Sequence, residues 1–196
     1  MIEVNRKTKE TDIKCKIDIN GTGKSNIHTG VGFFDHMLEA LSKHSGIDLD
    51  LSCEGDLHID AHHTVEDCGI VIGQALKKAI FPIEAVERYG NATVVMDEAA
   101  TTCALDLSNR PFLVYEVNIS GKVGDFDVEL AEEFFHAVSG NAGITLHIIS
   151  DRGRNKHHIL EASFKAFAVA LRRALAKNER LGIPSTKGVL WLNLLF

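Results

Sequence analysis

Two short segments of the sequence place a pair of histidines ahead of a glutamate. They are His62-His63-Thr64-Val65-Glu66 and His157-His158-Ile159-Leu160-Glu161. In a helix, a glutamate three and four residues after the histidines returns to their side of the turn, so each segment can present three metal ligands together. Double histidines that merely cap surface helices are the alternative. Because the pattern occurs twice, it predicts a duplicated half-site for a pair of divalent ions.

The similarity between the two halves extends upstream of the histidine pairs. Aligning Gly46-Ile47 with Gly143-Ile144 places His36 opposite Glu133, and both are metal-ligand residue types. We therefore expect Glu133 to be the ligand in the second half, with His136 as the alternative. The eight candidate metal ligands are His36, His62, His63, Glu66, Glu133, His157, His158 and Glu161.

These candidates are imidazoles and carboxylates, and the motifs contain no thiolate. Such donors suit borderline or hard ions such as Mn²⁺, Fe²⁺ or Zn²⁺. About four protein ligands per ion leave positions open in a six-coordinate shell, whereas a structural zinc is closed by four ligands that commonly include cysteine. The ligand types therefore favour a catalytic di-metal site to which a substrate can bind directly.

A second group of residues has the chemistry to bind an anion. Guanidinium groups, hydroxyls and a lysine in or beside turns can bind a phosphate group. Taken singly, an arginine such as Arg88 or Arg110 could equally be a solvated surface residue. Together with a metal pair, the group predicts a small phosphorylated substrate. Its members are Arg88, Arg110, Arg154, Ser185, Thr186 and Lys187.

Hydrophobic periodicity predicts the elements that must position these residues. We expect helices over 33–41, 62–80, 129–138 and 159–177, and strands over 13–19, 47–53, 57–59, 91–96, 103–107, 113–117 and 144–149. No low-complexity linker divides the halves. The sequence therefore predicts a single α+β domain, residues 1–196, made of two structural repeats over about 1–90 and 91–196, with antiparallel-rich sheets covered by helices.

Composition excludes several classes of protein. The hydrophobic fraction of 45% and charged fraction of 24% are those of a soluble globular protein, and the net charge of −6 argues against nucleic-acid binding. No apolar run approaches the ~20 residues that cross a bilayer, and the N-terminus lacks the apolar core of a signal peptide. We expect a cytoplasmic protein that binds no membrane. Its cysteines should be reduced and mostly buried: Cys15, Cys53, Cys68 and Cys103.

Several longer segments resemble the imidazoleglycerol-phosphate dehydratase family. The resemblance runs from about Val4 to Val189. The segments that carry it are Gly32-Phe33-Phe34-Asp35-His36-Met37-Leu38, Ala61-His62-His63-Thr64-Val65-Glu66-Asp67, Asp106-Leu107-Ser108-Asn109-Arg110-Pro111, Asn155-Lys156-His157-His158-Ile159-Leu160-Glu161-Ala162 and Pro184-Ser185-Thr186-Lys187-Gly188-Val189.

The resemblance implies a hydro-lyase of histidine biosynthesis. Its members remove water from D-erythro-imidazole-glycerol phosphate to give imidazole-acetol phosphate, with two Mn²⁺ ions per active site that bind the substrate imidazole as an imidazolate. It also implies a homo-oligomer of twenty-four subunits with active sites at subunit interfaces. The implied fold is ribosomal protein S5 domain 2-like, with helices packed between two mixed or antiparallel sheets.

The resemblance also implies roles for single residues. One ion would take His62, Glu133, His157 and Glu161, and the other would take His36, His63, Glu66 and His158. The family's substrate and phosphate contacts match Arg88, Arg110, Ser185 and Lys187. Glu10 matches an acidic site residue, and we expect it to remove the substrate proton, with a metal-held water as the rival base.

Two positions depart from the family pattern. Many members carry histidine where this chain has Glu133, although a carboxylate also suits Mn²⁺. The aspartate that usually precedes the first double histidine is Ala61 here, which removes a possible hydrogen-bond partner of a ligand, and Asp60 is a candidate substitute. The tail, residues 191–196, matches no family motif.

Two other functions compete with this interpretation. A di-metal phosphatase could use the same ions and arginines, although such sites usually depend more on bridging aspartates. A metal-storage or metal-sensing oligomer would bind ions without turnover, but it leaves Glu10, Arg110 and Lys187 without a role.

Overall fold

The first half of the chain folds into a four-stranded sheet with two helices. The computed structural model describes residues 1–187 and 190. In chain order, the elements of the first half are β1 (Ile2–Lys7), β2 (Thr11–Asp18), β3 (Ser25–His28), α1 (Gly32–Ser45), β4 (Asp48–Gly55) and α2 (His62–Ile80). The strands pair in the order β1-β2-β4-β3. β3 and β4 are parallel because α1 connects them, and the other pairs are antiparallel.

The second half repeats this arrangement. Its elements are β5 (Tyr89–Met96), β6 (Ala99–Asp106), β7 (Phe112–Glu116), β8 (Lys122–Val123), β9 (Phe126–Asp127), α3 (Leu130–Ala142), β10 (Thr145–Arg152) and α4 (Lys156–Ala174). The sheet order is β5-β6-β10-β7, again with a single parallel pair, β7 with β10, joined through a helix. The small β8–β9 hairpin has no counterpart among the strands of the first half.

The helices lie between the two sheets, where α2 packs on α3 and α1 packs on α4. Large aromatic side chains fill this layer, and the rings of Phe135 and Phe164 lie 4.8 Å apart. Gly69 lets α2 approach α3 closely, since a Cβ at this position would lie 2.8 Å from the Ala137 Cβ. The observed architecture confirms the predicted α+β fold. The boundary between repeats near residue 90 stays a prediction.

Most predicted elements are present, with corrections at their ends. The prediction of a strand over 57–59 is wrong, because Ile59 donates its backbone N–H to the Asp56 carbonyl at 2.9 Å and closes a turn. Helix α4 begins at Lys156 and ends at Ala174, not at residue 177, because the segment before β5 bonds to its last carbonyls: Arg88 N–H donates to Ala174 O at 2.9 Å. The prediction missed β1, β3, β8 and β9.

Two further expectations concern burial and membranes. All four cysteines are buried and unpaired, as the sequence predicts. No helix in the described part of the chain combines the length and apolar character needed to span a bilayer.

Candidate functional site

The predicted histidine ligands lie near the N-terminal ends of three helices, α1, α2 and α4. Side chains just ahead of two of these helices accept their first backbone N–H groups. The Asp60 carboxylate accepts the backbone N–H of His62 at 2.8 Å, and the Asn155 side chain accepts those of His157 and His158 at 2.9 and 3.4 Å. Because these bonds satisfy otherwise unpaired N–H groups, they stabilise the start of α2 at His62 and the start of α4 at Lys156.

Three of the predicted ligands meet where α1 packs on α4. Glu161 Oε2 lies 3.0 Å from His157 Nε2 and 3.6 Å from His36 Nε2. One ligand atom from each of these residues lies within 4.8 Å of the other two. The Glu161 side chain is 7% exposed, whereas His36 faces solvent. We call His36, His157 and Glu161 the α1–α4 cluster; it is open on the imidazole side.

A lysine keeps the buried carboxylate of this cluster charged. Burial opposes ionisation of Glu161, but Lys165 Nζ, 2.6 Å from Oε1, and the hydrogen bond from His157 outweigh it and hold the Glu161 pKa below its ordinary value. An ionised carboxylate is the form that binds a metal. Sequence reasoning missed Lys165, although its spacing four residues after Glu161 on a helix was a usable signal.

In the first histidine motif, the second histidine is oriented by a carboxylate. His63 Nδ1 lies 3.0 Å from Asp56 Oδ2, and this hydrogen bond raises the His63 pKa. With Nδ1–H donating to Asp56, the Nε2 lone pair faces outward, 3.9 Å from Glu10 Oε1. His62 Nε2 lies 3.7 Å from Glu66 Oε2. Sequence reasoning missed Asp56, which follows the last residue of β4.

The second motif repeats this contact. His158 Nδ1 lies 2.8 Å from Glu98 Oε2 in the β5–β6 turn, and Nε2 lies 3.9 Å from an Asp97 oxygen. Glu98 also accepts the N–H groups of Arg154 and Asn155. The His158 bond and these backbone donors lower the Glu98 pKa to about 2, and Glu98 in turn raises the His158 pKa. Glu98 was also missed, although it occupies the position of Glu10 in the second repeat.

Other predicted ligands remain apart within one chain. Across residues 1–187, no hydrogen bond or ion pair connects the two histidine motifs, and Glu133 forms no ion pair with another predicted ligand. His136 is exposed on α3. The structure groups His36 with His157 and Glu161, although the resemblance assigns His36 to one ion and the other two residues to the second ion. The division of ligands between two ions therefore stays a prediction.

A cleft of about 620 Å³ lies beside these helix starts. It is lined by residues 30–33 ahead of and within α1, the segment before α2 that includes Ala61, and the β8–β9 hairpin. Phe33 contributes to the lining, and its ring centroid lies 5.2 Å from the His157 ring. The cleft therefore lies beside the α1–α4 cluster, which it reaches through Phe33, and beside Ala61, the residue before the first histidine motif.

Two of the predicted anion-binding arginines meet at one aspartate. Arg88 donates two hydrogen bonds to the Asp106 carboxylate, at 2.7 and 3.0 Å, and a third to Pro184 O at 2.7 Å. The Asp106 bonds raise the Arg88 pKa. Arg110 lies 4.0 Å from Asp106 and is largely exposed. The Pro184 contact brings Ser185, Thr186 and Lys187 to the same region, whereas residues 188–189 of that motif and the tail at 191–196 lie outside the described residues.

The anion group and the α1–α4 cluster lie far apart in one chain. Arg88 bonds to Ala174 at the end of α4, whereas His157 is in its first turn. At 1.5 Å per residue, the helix between these points spans about 26 Å. Arg154 instead lies at the start of α4, where its N–H bonds Glu98. Arg154 is therefore separated from Arg88 and Arg110.

The chain is similar in sequence to the proteins of one enzyme family. Residues 29–171 match the profile of the family described as Imidazoleglycerol-phosphate dehydratase. A protein of that name from Aliarcobacter butzleri is 88% identical over 190 residues, which cover 97% of this chain and 100% of the relative. Another, from Sulfurovum sp., is 66% identical over the same coverage of both chains.

Solved structures give the same result. The crystal structure of imidazoleglycerol-phosphate dehydratase from Staphylococcus aureus matches with a TM-score of 0.81 and 42% identity, covering 90% of this chain and 99% of that chain. The Pyrococcus furiosus enzyme in complex with (S)-C348 matches with a TM-score of 0.83 and 39% identity, covering 95% and 100%. This chain therefore belongs to the imidazoleglycerol-phosphate dehydratase family of hydro-lyases.

Proposed function

We propose that this chain removes water from imidazoleglycerol phosphate to give imidazole-acetol phosphate in histidine biosynthesis. The α1–α4 cluster is the observation that supports it most directly: two imidazole nitrogens and a carboxylate oxygen lie within 4.8 Å of one another next to a cleft. Family membership along nearly the whole chain supports the reaction and the phosphorylated imidazole substrate.

The chemistry of these donors fits a pair of Mn²⁺ ions. Nitrogen and carboxylate donors without thiolate suit this metal, and the carboxylates on the Nδ1 atoms of His63 and His158 direct Nε2 of each ring towards a ligand position. The α1–α4 cluster, His62, His63, Glu66, Glu133 and His158 would hold the ions. When bound, the ions supply positive charge that favours the imidazolate form of the substrate ring.

The residues of the chain supply the proton transfer and the orientation. Glu10 Oε1 lies 3.9 Å from His63 Nε2, so its carboxylate faces the ligand end of that ring. In this proposal Glu10 takes the proton from the carbon next to the one that loses hydroxide, which leaves an enol that becomes the ketone. The hydrogen bonds of Asp56 and Glu98 hold the two imidazoles while this occurs.

The separation of the two groups suggests that each active site uses more than one subunit. The substrate is roughly 10 Å long at ordinary bond lengths, which is much shorter than the roughly 26 Å of helix α4 between His157 and Ala174, the residue that Arg88 bonds. A neighbouring subunit can supply the arginines instead. We therefore propose a homo-oligomer, with twenty-four subunits as the resemblance implies.

The test uses the purified protein loaded with Mn²⁺. We expect it to form the ketone product from imidazoleglycerol phosphate, and Glu10→Gln to lower kcat at least about a hundredfold while bound Mn²⁺ per chain stays unchanged, since a general base contributes that much. The matched control is Glu54→Gln, an exposed carboxylate on β4. Near-normal turnover of Glu10→Gln would exclude it as the base, and release of inorganic phosphate without ketone would indicate a phosphatase.

A further inference from the structure

An ion pair between a buried aspartate and a partly exposed arginine lies close to the first histidine motif. Asp67 follows Glu66 on α2, and its side chain is 7% exposed. Its Oδ2 atom pairs with Arg6 of β1 and accepts a hydrogen bond of 2.5 Å from the Thr11 hydroxyl of β2. One carboxylate oxygen therefore joins α2 to both strands of the first hairpin.

The second repeat has apolar residues at the same places. Its matching residues are Val94, Ala99 and Ala162. Ala99 begins β6 as Thr11 begins β2, and Val94 pairs with the third residue of β6 as Arg6 pairs with the third residue of β2. Ala162 follows the second histidine motif directly. The second repeat therefore folds without charge here, and because apolar replacements of buried ion pairs are often neutral for stability, stability alone does not explain the pair.

A series of hydrogen bonds connects the Asp67 carboxylate to the backbone of Glu10. A carboxylate can only accept, so the Thr11 hydroxyl donates to Asp67, and its oxygen can accept from the Thr8 hydroxyl at 3.3 Å. The Thr8 oxygen in turn accepts the backbone N–H of Glu10 at 3.1 Å and that of Thr11 at 3.0 Å. Two hydroxyls thus connect the charge of Asp67 to the turn that carries Glu10, a turn that is also held by backbone hydrogen bonds from Thr8 N–H to Thr11 O and from Asp56 N–H to Glu10 O.

The orientation of the Glu10 carboxylate depends on the backbone turn more than that of Glu98, its counterpart in the second repeat. Glu98, at the matching position of the second hairpin, is fixed directly by the His158 ring and by two backbone N–H groups. The Glu10 side chain is 53% exposed, and its ring contact to His63 is 3.9 Å long. The backbone turn is therefore the main restraint on where the Glu10 carboxylate points.

We propose that Asp67, with Arg6 and Thr11, is a positioning group that holds the turn at residues 8–10 so that the Glu10 carboxylate faces His63. The inference rests on the proposed function, in which Glu10 removes the substrate proton. This role explains why the first repeat has a charged network at the place where the second repeat has apolar residues.

The test rebuilds this part of the first repeat as the second repeat has it, with Arg6→Val, Thr11→Ala and Asp67→Ala together. We expect the Mn²⁺-loaded variant to stay folded and keep its bound metal. Its kcat should fall at least about tenfold with KM changed less than about threefold, because displacing a base by about 1 Å costs rate rather than binding. Thr11→Ser keeps the hydroxyl and should retain turnover, whereas Thr11→Val should not.

The matched control removes the Lys7–Asp12 ion pair, which lies on the exposed face of the same hairpin, and should leave kcat unchanged. The decisive measurement adds the triple substitution to Glu10→Gln. If the group acts through Glu10, adding the triple substitution to Glu10→Gln lowers the residual turnover no further. An equal loss in both backgrounds, or normal kcat in the triple variant while Glu10→Gln is inactive, overturns the inference alone. An active Glu10→Gln overturns both the inference and the proposed base.

Discussion

Carboxylates decide which ring nitrogen of each second histidine is free. Asp56 and Glu98 accept hydrogen bonds from Nδ1 of His63 and His158, which leaves Nε2 of each ring for a ligand. The same contacts stabilise the imidazolium form, so the pKa of both histidines is raised above 6.5 in the absence of metal. The hydrogen bonds that orient these imidazoles for a metal therefore also make protons stronger competitors of that metal.

We predict that Mn²⁺ affinity falls steeply on acidification. Protons that compete with the metal stay on His63 and His158 at a higher pH than on an ordinary histidine, so Mn²⁺ occupancy should begin to decline at a higher pH than it would with ordinary histidines. Asp56→Asn weakens the hydrogen bond, and removes the charge, that raise the His63 pKa, and it should shift the midpoint of this decline to lower pH. Calorimetric titrations in buffers of different ionisation enthalpy measure both affinity and released protons.

His44→Gln is the matched control for this titration, because His44 lies outside the predicted ligand set and its pKa is lowered, mainly by burial. Its pH profile of Mn²⁺ binding should equal that of the unsubstituted protein. Undiminished Mn²⁺ occupancy at about pH 4 would contradict the proposed histidine ligands.

At the scale of elements, helix α4 positions both functional groups of the chain. Its first turn carries the second histidine motif, and its last carbonyls bond the segment that holds Arg88. The helix reaches β5 closely at Gly90, where a Cβ would lie 1.9 Å from Ala170 O and 2.8 Å from Ala174 N. Both neighbours are backbone atoms, so they cannot move aside without shifting the helix.

We predict that Gly90→Ala destabilises the protein by about 2 kcal/mol or more, because the added methyl group must push α4 away from the sheet. Urea unfolding followed by circular dichroism measures the free energy of unfolding. The matched control is Gly140→Ala on α3, where a Cβ meets nothing within 4 Å. That substitution should be neutral or stabilise by up to about 1 kcal/mol, since alanine favours the helix. Equal stability of both variants would refute the close-packing argument.

At the scale of the whole molecule, the chain separates the groups that one substrate would need. The α1–α4 cluster lies at the start of α4, and Arg88 and Arg110 lie near its end. The two repeats share one helical layer, so neither group can swing towards the other without disrupting the core. In the proposed function, assembly of several chains brings the two groups together.

We predict that two inactive variants restore activity when they assemble together. Glu161→Gln removes the metal half of a site and Arg110→Ala the anion half, and in equal mixed assemblies about a quarter of sites receive both intact halves from different chains. Co-expression followed by the dehydration assay measures the recovery. Glu161→Gln mixed with His157→Ala should recover nothing, because both changes damage the same cluster. Absence of recovery in the first mixture would place the whole site in one chain.

The sequence by itself determined the local features. Periodicity gave the helices that carry both histidine motifs and most strands, because side chains repeat on one face of an element at fixed intervals. It missed β1, whose Asn5, Arg6 and Lys7 interrupt the apolar pattern, and it took residues 57–59 for a strand where a backbone hydrogen bond closes a turn. The duplicated motifs predicted a di-metal site, and the family resemblance predicted the dehydration of a phosphorylated imidazole substrate.

Tertiary structure decided which distant residues meet. It placed His36 against Glu161, gave His63 and His158 the carboxylates of Asp56 and Glu98, and set Arg88 at the far end of α4. These contacts join segments up to more than a hundred residues apart, and their geometry depends on how helices and sheets pack. Spacing along one chain carries no information about such packing, because many partners at those distances fit the same local pattern.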